Sequence, residues 1–289
     1  MTADDLRPPV RHVASARVVA VRGNELEVRS DTVAGEDPME IRVAGLGQEP
    51  VAVAVTMRTP GGEGELAVGF LRTEGLIAGD EVLRVTFGDP GRTSQPDDEV
   101  TVHLSRPFDA STIAERHFVA TASCGICGKA SLEEIEARCD PIPPGTPVVP
   151  RAALLGLPDS LRAAQPAFAA TGGVHAAGLF APDGRLVALR EDVGRHNAID
   201  KLVGSQVLDG GLPLNDRLLM VSGRVSFEIV QKAAVAGIAI VCAVSAPTDL
   251  AIAAAERLGV TLVGFLRGDG FNVYSHDGRI DLRDLLAAG

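Results

Sequence analysis

Leu218-Leu-Met-Val-Ser-Gly-Arg-Val-Ser226 and Ile238-Ala-Ile-Val-Cys-Ala-Val-Ser-Ala-Pro-Thr-Asp249 each pass from a short apolar run into a loop of small residues. Each loop is followed by helical spacing, which ends near Ala236 and Leu258; Gly259 stops the second stretch. A short apolar run bounded by turn residues and followed by a helix is the pattern of a buried strand in a βα unit. Upstream, Leu186-Val-Ala-Leu-Arg190 precedes Glu191-Asp-Val-Gly-Arg-His-Asn197 and a helix over about 198–208. Downstream, residues 260–266 form a last buried strand before Arg267-Gly-Asp-Gly270. Repeated βα units predict a largely parallel sheet covered by helices. Cys242, inside the run 238–244, is expected in its core.

The N-terminal part reads differently. Residues 1–15 are a loose tail, and the alternation around Gly23-Asn24 predicts a β-hairpin. Glu40-Ile-Arg-Val43 and Val51-Ala-Val-Ala-Val-Thr56 extend a sheet, and residues 65–74 carry Leu66, Phe70 and Leu71 on one helical face. Strands over 82–87 and 99–104 complete a small α+β domain, taken as 16–118. A Pro-rich connector, Pro141-Ile-Pro-Pro-Gly-Thr-Pro147, lies within the second, α/β domain, taken as 119–289.

The chain has 289 residues, 46 % of them hydrophobic and only 3 % aromatic, so the core is built from Ala, Val, Leu and Ile. The net charge of −11 argues against non-specific nucleic-acid binding but leaves room for a local cationic site. No apolar run is long enough for a membrane helix, and the acidic start Met1-Thr-Ala-Asp-Asp5 is unlike a secretory signal, so a cytoplasmic protein is expected.

In an open α/β sheet the loops after the strands gather at one edge, where ligands bind. Here they carry Arg195, His196, Arg224 and Arg267, with hydroxyls on Ser222, Ser226, Ser245 and Thr248. Gly194, Gly223 and Gly268 are expected to admit close backbone approach. Arginines beside helix N-termini make an anion site, and the number of loops favours a large phosphorylated ligand. The competing reading of each loop is ordinary: Ser222, Ser245 or Thr248 caps its helix, and Asp192 and Asp249 are charges on solvated turns. His175 is equally open.

Between the two parts lies Ser123-Cys-Gly-Ile-Cys-Gly128, a dithiol loop. Ser131-Leu-Glu-Glu134 reads as a capping box that opens a helix just after it, and Lys129 adds a cation; both favour thiolate. Gly125 and Gly128 predict a mobile loop. Three readings stand: a reactive sulfur carrier, a thiol–disulfide oxidoreductase, and a zinc-stabilised cofactor-binding chaperone with His117 or Cys139 as further ligands.

The combination of Ser123-Cys-Gly-Ile-Cys-Gly128, Glu191-Asp-Val-Gly-Arg-His-Asn-Ala-Ile-Asp-Lys201 and Ser222-Gly-Arg-Val-Ser226 resembles the FdhD/NarQ family of formate dehydrogenase accessory sulfurtransferases. Glu65-Leu-Ala-Val-Gly-Phe-Leu-Arg-Thr-Glu-Gly75, Ser245-Ala-Pro-Thr-Asp-Leu-Ala251 and Val263-Gly-Phe-Leu-Arg-Gly268 add to the likeness. The resemblance implies a second domain similar to the cytidine-deaminase fold, a three-layer α/β/α arrangement. The deaminase H-x-E zinc pattern is missing, so that activity is not implied. It further implies a homodimer that accepts sulfur from a cysteine desulfurase as a persulfide on Cys124, with Cys127 assisting. The sulfur passes to molybdenum bis(molybdopterin guanine dinucleotide) destined for the formate dehydrogenase catalytic subunit. The cofactor segment of the family corresponds to Phe265, Leu266, Arg267, Gly268, Asp269 and Gly270; GDP or GMP is the expected fragment ligand.

Overall fold

The computed structural model describes residues 13–88, 96–114, 141–145 and 147–286. A hairpin of β1 (Val13–Arg22) and β2 (Glu25–Ala34) turns at Gly23, whose φ of 59° suits glycine. β3 (Asp37–Ala44), β4 (Val51–Arg58), β5 (Val82–Phe87) and β6 (Glu99–Leu104) form a sheet in the order β4-β3-β6-β5. Its alternating apolar residues, Met39, Ile41 and Val43 with Val100 and Val102, pack in one core with Leu66, Phe70 and Leu71 of α1 (Glu63–Thr73). A short α2 (Ser111–Ala114) follows β6.

After β7 (Val149–Pro150) come α3 (Arg151–Ala163) and α4 (Pro166–Thr171). The strands β8 (His175–Phe180) and β9 (Leu186–Asp192) lead to α5 (Arg195–Leu208). β10 (Leu218–Val221), α6 (Phe227–Val235), β11 (Ile240–Ala243), α7 (Asp249–Leu258) and β12 (Thr261–Arg267) are the expected βα units. β13 (Gly270–Ser275), β14 (Ile280–Asp281) and α8 (Arg283–Leu286) close the described chain, with β14 paired to β7.

The main sheet runs β13-β12-β11-β10-β8-β9. Its two faces follow the period of two in β10: Leu218 and Met220 join Leu154, Leu157 and Leu161 of α3, whereas Leu219 and Val221 face α5, α6 and α7. This is the expected three-layer arrangement. The expected largely parallel order is corrected. Only β10–β11 and β11–β12 are parallel, while β8–β10, β8–β9 and β12–β13 are antiparallel. The cause is loop length. Residues 181–185 between β8 and β9, and Gly268-Asp269 between β12 and β13, are too short for a parallel crossover. Two reversals return β9 to the direction of β10, so the ends of β9, β10, β11 and β12 still share one edge.

Helices α1 and α5 join the two sheets. A Cβ on Gly69 would stand 1.7 Å from the Asp200 carbonyl oxygen, and one on Gly204 would stand 1.8 Å from that of Glu65. Only glycine at both positions allows this backbone contact. One apolar core therefore runs from Ile41 through Leu71 and Leu202 to Leu219 and Val241.

Candidate functional site

The four edge loops are stitched together in series. Gly223, after β10, lies against the His175 ring and Arg195: an added Cβ would sit 3.4 Å from His175 Nδ1 and 4.0 Å from Arg195 Cδ. Val225 N donates to the Ala246 carbonyl at 3.1 Å, and Thr248 N donates to the Val225 carbonyl at 3.0 Å. Phe265 N donates to the Ser245 carbonyl at 3.1 Å. Arg195 is half-buried, and Arg224 and Arg267 are exposed. Among the described residues, no carboxylate lies within ion-pair distance of these three arginines. Guanidinium groups without an ion-pair partner along one edge have the chemistry to bind an anion.

The motif Glu191–Lys201 divides into a scaffold and a site. Asp192 is fully buried, not solvated as one reading of its turn expected. Its carboxylate accepts from Thr59 N (3.1 Å), Gly194 N (2.8 Å), Asn197 Nδ2 (3.1 Å) and Lys201 Nζ (2.6 Å). Lys201 also donates to the Thr59 carbonyl at 2.7 Å, and Asn197 Nδ2 to that of Met57 at 2.7 Å. These bonds lock the end of β4 to the start of α5. The approach at Gly194 is made by Asp192 and Asn197 of its own chain rather than by space left for a ligand. Glu191 accepts from Ala167 N and Phe168 N at 2.9 and 2.8 Å, capping α4. Arg195 and His196 remain for the edge.

His196 Nε2 lies 3.3 Å from Ser226 Oγ and 3.9 Å from Glu228 Oε2. Burial, then the charges of Lys232 and Arg195, bring its pKa down to about 4, so the ring is neutral at pH 7. Burial opposes the Glu228 charge, but the Ser226 hydroxyl and the backbone amide outweigh it and leave that pKa lowered. The folded pKa of His196 is thus depressed from 6.5. An unfolded chain binds this proton first as pH falls, so the contribution is complete above the unfolded value and is lost between pH 6.5 and 4. In His196→Gln, the stability gained from pH 4 to 6.5 should shrink by roughly 1–3 kcal/mol. Urea unfolding at several pH values reads this; an unchanged profile would show that His196 is not held neutral by folding.

The small residues have divided roles. Thr248 Oγ1 accepts from Ala251 N at 3.2 Å, so it caps α7 as the ordinary reading expected. Ser222 Oγ accepts instead from Ala176 N at 2.9 Å, tying β10 to β8. Ser226 stands at the start of α6 without capping it, its hydroxyl beside His196.

In the segment 265–270, Phe265 takes a φ of 52°, where non-glycine residues are strained, at a bulge between β12 and β13. A Cβ on Gly264 would come within 2.9 Å of Pro247 Cδ, so neighbours crowd the turn. The Arg267 guanidinium lies 5.6 Å from the centre of the Phe265 ring. Leu266 is fully buried in the α3 core, which leaves only its backbone for a ligand. Gly268, Asp269 and Gly270 are exposed at the hairpin turn.

Cys124, Cys127, His117 and Cys139, the helix expected from Ser131 and the mobility expected of the loop lie outside the described residues. Cys242 is the described free cysteine. It is fully buried, and burial pushes its thiol pKa up to about 12. Among the described residues, no group of three His, Cys, Asp or Glu side chains is placed to hold a metal ion. No described helix is long and apolar enough to cross a membrane.

Comparison with known proteins shows what the whole chain is similar to. The model of the FdhD/NarQ family matches residues 34–281. The sulfur carrier protein FdhD of Streptomyces avermitilis is 46 % identical over 279 residues, covering 94 % of this chain and 97 % of that one. Its counterpart in Sulfurisphaera tokodaii is 40 % identical over 93 % of this chain and 99 % of its own. A crystal structure from Desulfotalea psychrophila, described as a formate dehydrogenase accessory protein, superposes with a TM-score of 0.70 at 25 % identity; 94 % of this chain and all of that one are covered.

Proposed function

The chain belongs to the FdhD/NarQ family, and from that premise we propose that it carries sulfur to a molybdenum cofactor destined for formate dehydrogenase. The dithiol motif, in a chain so similar to named sulfur carriers, is the observation that carries the reading. The Cys124 thiolate attacks the terminal sulfur of a cysteine desulfurase persulfide. The sulfur–sulfur bond there breaks, the desulfurase leaves as thiolate, and Cys124 holds the new persulfide with its proton. Cys127 assists, and a second copy of the chain completes a homodimer in the cytoplasm.

The acceptor is molybdenum bis(molybdopterin guanine dinucleotide), bound as substrate. Its phosphates suit the rim of Arg195, Arg224 and Arg267, and Phe265 to Gly270 offer ring and backbone contacts. Neutral His196 adds a hydrogen bond without adding charge. GDP or GMP is then a fragment ligand whose affinity weakens as salt rises.

Incubation with a desulfurase and cysteine should add one sulfur, about 32 Da, to the peptide holding Cys124 and Cys127. Cys242 should stay unmodified, because its thiol is buried and protonated. A disulfide with no added sulfur would favour the oxidoreductase, and tightly bound zinc the chaperone. Absence of the adduct under conditions that load a known carrier would reject the proposal.

A further inference from the structure

Among the described residues, the hairpin of β1 and β2 stands apart. Its strands pair only with each other, from Val13 opposite Ala34 to Arg22 opposite Glu25. It meets the body at its base, where a Cβ on Gly173, just after α4, would stand 3.3 Å from Ala34 Cβ. A two-stranded ribbon is marginally stable in water unless something covers a face.

The period of two sorts its side chains. On one face near the turn, Val19 opposes Val28 and Val21 opposes Leu26. These four are 53, 50, 66 and 69 % exposed. The other face carries Ala20 against Glu27 and Arg22 against Glu25 at the same level. The apolar face of an antiparallel sheet is normally buried; here it is left to solvent. A contiguous apolar block of this kind marks a contact surface.

Charge selects the partner. The hairpin sets Arg17, Arg22 and Arg29 against Glu25, Glu27 and Asp31, so it is neutral, while the whole chain carries −11. Two copies therefore repel through their bodies and least through these arms. A strongly basic or acidic partner would find no net charge here to hold. The block also matches itself. With two arms face to face and antiparallel about a two-fold axis, each valine and leucine row meets the same rows reversed. Arg17, one row short of the block, then lies over the other copy's turn at Gly23-Asn24, where the Asn24 amide oxygen and the turn carbonyls can accept from it. A parallel arrangement would set Arg17 on Arg17.

We infer that the outward apolar face of the β1–β2 hairpin is a self-association surface, packed on the same face of a second copy of this chain. The inference rests on the homodimer reading above and locates one of its contacts. All of the hairpin but Ala34 precedes the segment shared with the family model, so family membership does not assign it this role. A face about 34 Å long and about 10 Å wide offers roughly 340 Å² per copy, under half of the ~800 Å² of a standard interface. The arms alone thus hold a dimer in a concentration-dependent equilibrium.

Sedimentation velocity of the full chain, from about 1 to 100 µM, reads that equilibrium. The unmodified chain should pass from monomer towards dimer as its concentration rises, or remain dimeric throughout. Val21→Asp with Leu26→Asp should raise the dissociation constant at least about a hundredfold, through two lost anchors and the like charges put in their place. Val21→Lys with Leu26→Lys should do the same. Both double variants should fold with the Tm of the unmodified monomer, because the replaced side chains are exposed within one copy. Mixed in equal parts, the aspartate and lysine variants should form a dimer, since opposite charges then meet across the axis. A dimer that both variants keep overturns this surface and leaves the homodimer and sulfur-carrier readings standing. Two monomeric variants that do not join when mixed also overturn it, because the face then meets something other than itself. An unmodified chain that is still monomeric at about 100 µM overturns the surface and the homodimer reading together. Failure of the desulfurase to load sulfur removes the carrier proposal and leaves the association as measured.

Discussion

Cells in which Cys124→Ala replaces the normal chain should show formate dehydrogenase activity no higher than cells lacking the protein. The argument is chemical. A sulfane sulfur is accepted only by a nucleophilic thiolate, and alanine offers no atom to take it. The buried Cys242 cannot substitute for it. Cys242 is sealed in the sheet core with its thiol pKa pushed up to about 12. Cys242→Ala should therefore leave activation intact and cost about 1 kcal/mol of stability for the small cavity it leaves. Cys139→Ala should also leave activation intact. The sulfur adduct should vanish from Cys124→Ala protein while its Tm stays normal, which separates lost chemistry from lost folding. Normal enzyme activation by this variant would refute the assignment.

Lys232→Met should lower stability by about 3–5 kcal/mol, the usual cost of stripping one partner from a buried ion pair. Lys232 Nζ meets Asp200 at 2.9 and 3.0 Å, Glu74 at 2.8 Å and the Thr73 hydroxyl at 3.0 Å. Burial opposes its charge, but Asp200 and then Glu74 outweigh this and raise its pKa. These bonds tie α6 to α1 and α5, the two helices that join the sheets. Without the ammonium, buried Asp200 keeps the Thr73 hydroxyl at 2.7 Å but loses its cation. Adding Asp200→Leu should recover part of the loss, since an apolar pair need not desolvate a lone charge. Urea unfolding at pH 7 measures both. A loss below about 1 kcal/mol for Lys232→Met would mean the cluster is no better than a surface ion pair.

Much of this was legible in the chain. The strands over 218–221 and 240–243 stood out because residues buried on both faces make unbroken apolar runs. The edge carrying Arg195, Arg224 and Arg267 followed from loop order, and it survived the antiparallel correction because two reversals restored the direction of β9. His175–Phe180 escaped notice as a strand, and α3 and α4 as helices. β8 is rich in Ala and Gly and buried on both faces, so it shows no alternation, and in α3 Pro158 interrupts a run whose Leu154, Leu157 and Leu161 otherwise repeat at helical spacing.

The local pattern by itself determined the βα succession, the buried Cys242, the dithiol motif and the family likeness, because each depends on residues adjacent in the chain. What Asp192, Asn197, Lys201 and Lys232 do was decided only by the tertiary structure. All are polar residues within or beside motifs that read as site chemistry. They prove to be internal struts because their partners, Thr59, Met57, Thr73 and Glu74, lie in the other sheet's half of the chain. A buried polar group must find partners wherever the fold supplies them, and sequence spacing carries no record of a contact made more than a hundred residues away.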